Sequence, residues 1–165
     1  MSPAHDLGDL DRFTTDAIGP AGERVFLIQC RSGSTLLTMK AEKQQVSVLS
    51  DYLGRLLGDL ARPGHLPEDL DLEEPAEPDW VLGTLGVSYD ETGDRIVMVA
   101  EELVGEDEPG EVARFAISRE QAAAFAIRAA SIVSAGRPEC PMCGLPIDPA
   151  GHACPRTNGH RPGAP

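Results

Sequence analysis

Three cysteines and two histidines lie close together near the end of the chain, in the stretch CPMCGLPIDPAGHACPRTNGH at residues 140–160. Zinc prefers thiolate sulfur and imidazole nitrogen, and structural zinc sites take four such ligands in a tetrahedron. Cys140 and Cys143 have the spacing that lets two thiolates bind one ion, and Gly144 tolerates the sharp turn that must follow. Cys154 is the third ligand. The spacing therefore predicts a zinc site in this segment.

The fourth zinc ligand is either His152 or His160. His152 and Cys154 are two residues apart, so both side chains point the same way if the segment is extended. His160 would instead close a loop of five intervening residues. Geometry slightly favours His152 and leaves His160 as the alternative. Cys30 is a remote candidate and is better interpreted as a small buried apolar residue.

The terminal segment contains little that could fold it without a metal. Its sizeable apolar residues are Met142, Leu145 and Ile147. Ordering a backbone costs roughly 1–2 kcal/mol per residue, whereas a structural zinc contributes on the order of 10 kcal/mol in small finger peptides. Folding of the segment and metal binding are thus expected to be one event. Because four protein ligands leave no open position, we do not expect this zinc to be catalytic.

The chain of 165 residues is strongly acidic, with a formal net charge of -13 and a pI of about 4.6. Such a surface repels phosphate backbones and anionic membranes, so a protein is the expected partner of the acidic body. Residues 137–165 differ, because three arginines against two carboxylates give them a net charge of +1. Nucleic acid is the alternative partner, and it could bind through Arg156, His160 and Arg161 at the edge of this segment.

The start of the chain, MSPAHDLGDLDRF, is acidic and lacks both the basic start and the apolar run of a secretory signal. No stretch approaches the roughly 20 apolar residues that span a bilayer. The expected location is the cytoplasm, where thiols are reduced and clustered cysteines are more often metal ligands than disulfides.

The rest of the sequence alternates between strand and helix patterns. Apolar runs on either side of Ser32-Gly33 predict a hairpin, and a short strand precedes it near 13–18. Leucines and valines recurring every three or four residues then predict a helix over about 41–60. The proline-rich acidic segment 62–78 is interpreted as an exposed, solvated connection. Three strands in a meander follow, and then a helix that Ser118 and its partner three residues later would cap.

This order predicts an α+β fold, with an antiparallel sheet of five or six strands, two helices on one face and a C-terminal zinc ribbon. The expected domains are a flexible acidic leader at 1–11, an α+β domain at 12–136 and a zinc-ribbon tail at 137–165. The two helix starts match, since Lys43 and Gln45 correspond to Arg119 and Gln121. A duplicated βββα unit is one explanation of the match, and chance similarity between helix starts is the other.

Catalytic motifs are not found in the sequence, including a P-loop, GxGxxG, HExxH or GxSxG. The leading hypothesis is therefore a zinc-binding, non-enzymatic adaptor or regulatory protein. The alternative is an enzyme, or an accessory subunit of one, with a polar site in the cleft between sheet and helix near Gln29, Glu42, Lys43 and Gln45. Nucleic-acid binding through the ribbon edge is a third hypothesis.

The terminal stretch resembles the C-terminal signature of an uncharacterised actinobacterial domain family, with the pattern CPxCGxPIDPxGHxCPRxNG. The stretches GPAGERVFLIQCRSG, EKQQV and LEEPAEPDWVLGTLGVSYD are also similar to that family. The family pattern keeps Gly-His-x-Cys-Pro-Arg and varies at the position of His160. The resemblance thus implies Cys140, Cys143, His152 and Cys154 as the ligands, and it implies no known activity.

Overall fold

The computed structural model describes residues 4–20 and 22–135, which form seven strands and two helices. The elements in chain order are β1 (Ala4–Asp9), β2 (Arg12–Ile18), β3 (Val25–Ser32), β4 (Thr35–Ala41), α1 (Lys43–Gly58), β5 (Trp80–Asp90), β6 (Arg95–Glu102), β7 (Val112–Ile117) and α2 (Arg119–Ala135). The predicted α+β class and the two predicted helices are confirmed.

The described strands form one mixed sheet in the order β1-β7-β6-β5-β4-β3-β2. Four neighbouring pairs are antiparallel, but β4 pairs with β5 and β1 pairs with β7 in parallel. The prediction of a purely antiparallel sheet with five or six strands is therefore wrong. The β4–β5 pair is parallel because α1 and the segment after it carry the chain back to the same end of the sheet, which is how parallel neighbours must be joined.

Residues Ala4–Asp9 form a strand of the sheet, so the prediction of a flexible leader at 1–11 is wrong for these residues. β1 pairs with β7, and only Leu10 and Asp11 separate it from β2 at the opposite edge. The Leu10 amide donates to the Ala116 carbonyl at 2.9 Å, and the Asp11 amide donates to the Arg31 carbonyl at 2.8 Å. The sheet curls until its edges meet here, which leaves fewer backbone groups unpaired at an open edge.

The fold repeats one pattern twice, because β2-β3-β4-α1 and β5-β6-β7-α2 are each a three-stranded meander followed by a helix. The two halves are aligned at their helix starts, Lys43 and Arg119, and the antiparallel registers then define equivalent positions along the strands. Across three strands, the equivalent pairs are Thr14 and Gly86, Gln29 and Val99, and Thr38 and Arg114. The helices contact each other at equivalent positions, since the Ser50 hydroxyl donates to the Ala126 carbonyl. The predicted βββα repetition is thus present in the topology.

Both helices pack on one face of the sheet, which holds the main core. Their buried residues recur at the predicted three and four spacing, and they join alternate residues of β3, β6 and β7 in a single cluster. α1 ends at Gly58, so Leu60 lies beyond it, although the sequence pattern extends the helix to that residue. Phe13 links the sheet to α2, since its ring stacks on Phe125 with centroids 4.3 Å apart.

Residues 62–78, which we call the strap, cross the other face of β2, β3 and β4. The Thr14 hydroxyl donates to the Leu70 carbonyl. The side-chain amide of Gln29 donates to the Glu73 carbonyl at 3.0 Å, and its oxygen accepts from the Glu73 amide at 2.7 Å. Beneath the strap, Gln29 and Leu27 are each 1% exposed. The strap is exposed on its outer side, as predicted, but it also covers a face of the sheet, which the sequence did not predict.

Carboxylates of the strap pair with arginines of the sheet. Arg31 donates to both oxygens of Glu73, at 3.0 and 2.9 Å. Arg12 donates to main-chain carbonyls of Asp69 and Asp71 and lies 3.4 Å from the Glu73 carboxylate. The acidic run in this segment therefore compensates two cations on the sheet face, in addition to being solvated.

Candidate functional site

The predicted zinc ligands Cys140, Cys143, His152 and Cys154, with His160 as the alternative, lie outside the described residues, as do Arg156 and Arg161. Within residues 4–20 and 22–135, no three His, Cys, Asp or Glu side chains are grouped so that they could hold a metal ion. Cys30 is fully buried on β3, and burial raises the pKa of its thiol. The prediction that Cys30 is a small buried apolar residue is confirmed, since its side chain lies in the hydrophobic core.

A groove of ≈ 540 Å³ lies between the first turns of α1 and the strand β5. Leu49, Leu82, Leu85 and Val87 line it with buried or half-buried apolar side chains. Exposed residues of α1 and its N-cap line the rest, namely Glu42, Gln44, Val48 and Tyr52. The surface is apolar and concave, with a few polar groups, which is the usual character of a ligand-binding site.

Gln45 borders the groove, but its side chain is fully used in holding the fold. Its oxygen accepts from the Glu42 amide at 2.8 Å, and its amide donates to the carbonyls of Leu82 and Gly83 at 3.3 and 3.0 Å. Gln45 therefore caps α1 and fixes β5 where the register of that strand shifts between Leu82 and Thr84.

Gln121 does the same in the other half of the fold. Its oxygen accepts from the Ser118 amide at 2.9 Å, and its amide donates to the Leu10 carbonyl at 2.8 Å. The Ser118 hydroxyl accepts from the Gln121 amide at 3.1 Å, which confirms the predicted capping box. The matching glutamines that the sequence shows are thus a structural device: Gln45 joins the start of α1 to β5, and Gln121 joins the start of α2 to Leu10, just before β2.

The equivalent space in the other half, between α2 and β2, is closed. Phe13 and Phe125 stack there, and Arg128 donates to the Thr15 carbonyl at 2.7 Å and to the Asp16 carboxylate at 2.9 Å. At the groove, the equivalents of Phe13, Phe125 and Arg128 are Leu85, Leu49 and Tyr52, respectively. Two leucines fill less volume than two stacked phenylalanines, and this difference leaves the groove open.

The predicted polar cleft near both Gln29 and Gln45 does not exist, because the two side chains lie on opposite faces of the sheet. Gln29 is buried beneath the strap and also donates to the Thr38 hydroxyl at 3.2 Å. Glu42 lines the groove, whereas Lys43 lines a separate recess of ≈ 390 Å³ with Arg24 and Lys40. Period-two alternation along β3 separates Gln29 from the helix-facing residues.

A cluster of titratable groups lies away from the groove, where α2 begins. The Tyr89 hydroxyl donates to Asp94 at 2.7 Å, and Arg119 donates to the same carboxylate at 3.1 Å. The hydrogen bond from Tyr89, then that from Arg119, lowers the pKa of Asp94, and the hydrogen bond to Asp94 raises the pKa of Tyr89. Arg119 also donates to the Ala61 carbonyl at 2.6 Å. The cluster therefore ties the β5–β6 turn and the start of the strap to α2.

Sequence reasoning missed Val48 and Tyr52 as residues of the groove. They are 56% and 40% exposed, respectively, and they lie one helical turn apart on α1, off its buried stripe. The signal was available, because two large apolar residues on the polar side of an amphipathic helix are what an interaction surface presents. The groove itself was not predictable, since it depends on how far α1 lies from a strand more than twenty residues away.

These features define an α+β protein with two βββα units. The space between α2 and β2 is closed, and the space between α1 and β5 is open. The model of the family described as protein of unknown function (DUF3090) matches residues 5–154, and the chain belongs to that family. The matched region begins within β1 and ends at Cys154, so it includes the four preferred zinc ligands and excludes His160.

Neither the curated proteins nor the solved structures include a match to this chain. Among the described residues, neither helix has the length and apolar character needed to cross a membrane.

Proposed function

We propose that this chain is a zinc-binding adaptor or regulatory protein, with Cys140, Cys143, His152 and Cys154 holding a structural zinc and His160 as the alternative fourth ligand. One observation supports this proposal most strongly: a CPMCG knuckle and a GHAC pair occur in a segment that is otherwise poor in apolar residues. Three thiolates and one imidazole are a donor set that suits zinc. The extent of the family match is in line with this set.

The zinc acts as a cross-link in this proposal. When bound, it draws four ligands from both ends of a fifteen-residue stretch together and offsets the entropy lost on ordering that stretch. The ligands must be deprotonated to bind, so affinity falls as the pH falls and the thiolates are protonated. The role of the segment is then to present a fixed surface.

The groove between α1 and β5 supports a binding role over a catalytic one. The described residues with shifted pKa values are Cys30, Arg31, Glu73, Tyr89 and Asp94, and none of them lines the groove. Active sites usually bring together groups whose pKa values are strongly perturbed. A largely apolar surface without such groups is better suited to binding a protein partner than to catalysis.

A second candidate function is that of a small-molecule-binding protein or enzyme accessory subunit, again with the groove as the site. Its volume, ≈ 540 Å³, falls within the range of about 300–1,000 Å³ that is typical of ligand pockets. The apolar lining would select a ligand that is largely apolar.

Metal analysis with thiol counting tests the zinc proposal. We expect one zinc per chain, no thiol reactive in the native protein, three thiols after a chelator is added and a fourth, Cys30, only after unfolding. Cys143→Ser should lose the zinc, whereas the matched control Cys30→Ala should keep it. Purified reduced protein without zinc, or with thiols that ignore the chelator, would contradict the proposal.

Affinity purification from cytoplasm separates the adaptor from the ligand-binding alternative. We expect a protein partner that is retained by wild type, lost with Tyr52→Arg in the groove and kept with the control Ile127→Arg, since Ile127 is an exposed α2 residue outside the groove. A small molecule recovered with wild type, in place of a protein, would favour the second candidate.

A further inference from the structure

The outer face of β5, β6 and β7, on the side away from the helices, is uncovered by the described residues. We call Gly86, Val97, Val99 and Arg114 the open face. Gly86 and Arg114 are exposed, and the two valines are half-buried. In the other half, the equivalents of Gly86, Val99 and Arg114 are each 1% exposed, because the strap covers them.

The sequence of β6 is that of a strand covered on both sides. Residues 96–100 are five consecutive apolar residues, IVMVA, without the polar alternation of a strand that has one face in water. The equivalent strand, β3, is buried on both faces at its centre. Two exposed apolar residues extend the same face, since Val81 and Leu103 are 36% and 62% exposed and are joined by a backbone hydrogen bond. The open face thus has the composition of a contact surface.

The chain leaves the described structure at the place that corresponds to the start of the strap. Arg24 donates to the Ile132 carbonyl near the end of α2, and Arg24 lines one recess with Lys43 at the start of α1. In the other half, Arg119, the equivalent of Lys43, donates to the carbonyls of Ala61 and Arg62, where the strap begins. The end of α2 therefore lies near the start of α1, as the residues after Gly58 lie near the start of α2.

We propose that the terminal segment, residues 137–165, lies across the open face as a second strap. Leu70 and Glu73 anchor the first strap 12 and 15 residues after Gly58. The same counts from Ser134, the equivalent of Gly58, reach Pro146 and Pro149. These positions lie in LPIDP, which has two of the three sizeable apolar residues of the segment. The valines of the open face and this stretch would bury each other.

The charges of the two straps differ in the way that their two faces differ. The first strap is acidic and pairs Glu73 with Arg31. The equivalent of Arg31 on β6 is Glu101, which is exposed and accepts a hydrogen bond from Thr84. The terminal segment has a net charge of +1, against -14 for the rest of the chain. The sheet residue is a cation, Arg31, under the acidic first strap and an anion, Glu101, at the equivalent position of the open face. The net charge of the segment proposed to cover that face is correspondingly positive.

Hydrogen exchange of the full-length protein, followed by mass spectrometry, tests the second strap. In wild type, we expect peptides within 141–151 to be protected. Val99→Lys should speed their exchange about tenfold or more, because a cation would replace an apolar contact, while peptides of the first strap stay unchanged. Ile127→Lys, at an exposed position on α2, is the matched control and should leave both segments unchanged. If Val99→Lys fails to fold, Val97→Lys supplies the same readout.

Two results would overturn the second strap: wild-type peptides in 141–151 that exchange as fast as an unstructured chain, or protection there that is the same in Val99→Lys. Zinc measured in the same samples distinguishes the two proposals. Docking requires protection that depends on Val99, whether or not zinc is present, whereas the zinc proposal fails if the metal is absent or if the thiols ignore the chelator.

Discussion

The two halves of this fold share a topology but are covered differently. The helices cover one side of strands β2, β3 and β4, and the strap covers the other side. Among the described residues, only the helices cover β5, β6 and β7, so one side of these strands is left open. The first half also closes its helix–strand space, and the second half leaves a groove of ≈ 540 Å³. The described residues thus close both sides of the first half, whereas in the second half they leave a groove and a sheet face uncovered.

Few residues account for this difference. Phe13 and Phe125 close one helix–strand space, where Leu85 and Leu49 leave the other open. Gln29 holds the backbone of the strap in a pair of hydrogen bonds that its equivalent, Val99, could not make. Equivalent positions can therefore be compared directly by substituting one residue in each half.

Phe13→Ala should have the largest effect. Its ring is buried and contacts both Phe115 and Phe125, so its loss leaves a cavity and should destabilise the protein by about 3–5 kcal/mol. Leu85→Ala at the equivalent position should cost only about 1–2 kcal/mol, because Leu85 is half-buried beside the groove. Urea unfolding measures both, and equal losses would show that the two spaces are filled alike.

Gln29→Ala should have an intermediate effect. It leaves the Glu73 amide without its partner beneath the strap and should cost about 2–3 kcal/mol. Its equivalent, Val99→Ala, should cost less, about 1 kcal/mol, since it removes apolar contacts and leaves no hydrogen-bonding group unpaired. Faster proteolysis within the strap should accompany the first change and not the second. A strap that resists protease in Gln29→Ala would mean that its other anchors suffice.

Glu73→Gln should have the smallest effect and should appear in the pH dependence. The hydrogen bond from Arg31 is the main cause that lowers the pKa of Glu73 below its ordinary value of 4.5. The stability gained from this pair is therefore fully present above about pH 4.5 and is lost as the pH falls through the lower value in the folded state.

The melting temperature measured from pH 6 to pH 3 should thus fall less steeply in Glu73→Gln than in wild type. Asp94 has a lowered pKa as well and should keep part of the slope. The exposed Glu77→Gln, in the same strap, is the control and should retain the wild-type slope. Identical slopes in all three proteins would show that the Arg31–Glu73 ion pair does not contribute to the pH dependence of stability.

Much of the fold follows from local sequence patterns. The hairpin at Ser32-Gly33, the stripes of both helices and the capping box at Ser118 are found where the patterns predict them. Each depends on residues close together in the chain. β1 was missed because AHDLGD has no strand pattern of its own, and pairing with β7, more than a hundred residues later, forms it.

The candidate site was predictable only in part. The metal ligands stand out in the sequence because ligand type and spacing are local, and they stay a prediction. Gln45 was singled out as a polar residue at a helix start, and its side chain joins α1 to β5. The groove depends on the volumes of side chains from elements distant in sequence, and no local pattern encodes that sum.

The sequence by itself determined which residues are helical and which alternate along strands, and it predicts which residues cluster as metal ligands, because these properties depend on the types and spacing of a few neighbouring residues. Only the tertiary structure decided which strands became neighbours across the helices, that the acidic segment 62–78 covers a sheet face and that one of two equivalent spaces stays open. The physical reason is that strand pairing and burial depend on contacts between segments that are distant in sequence. The free energy of such contacts depends on how well the side chains of the two segments pack together, and the hydrophobic periodicity of either segment does not specify that packing.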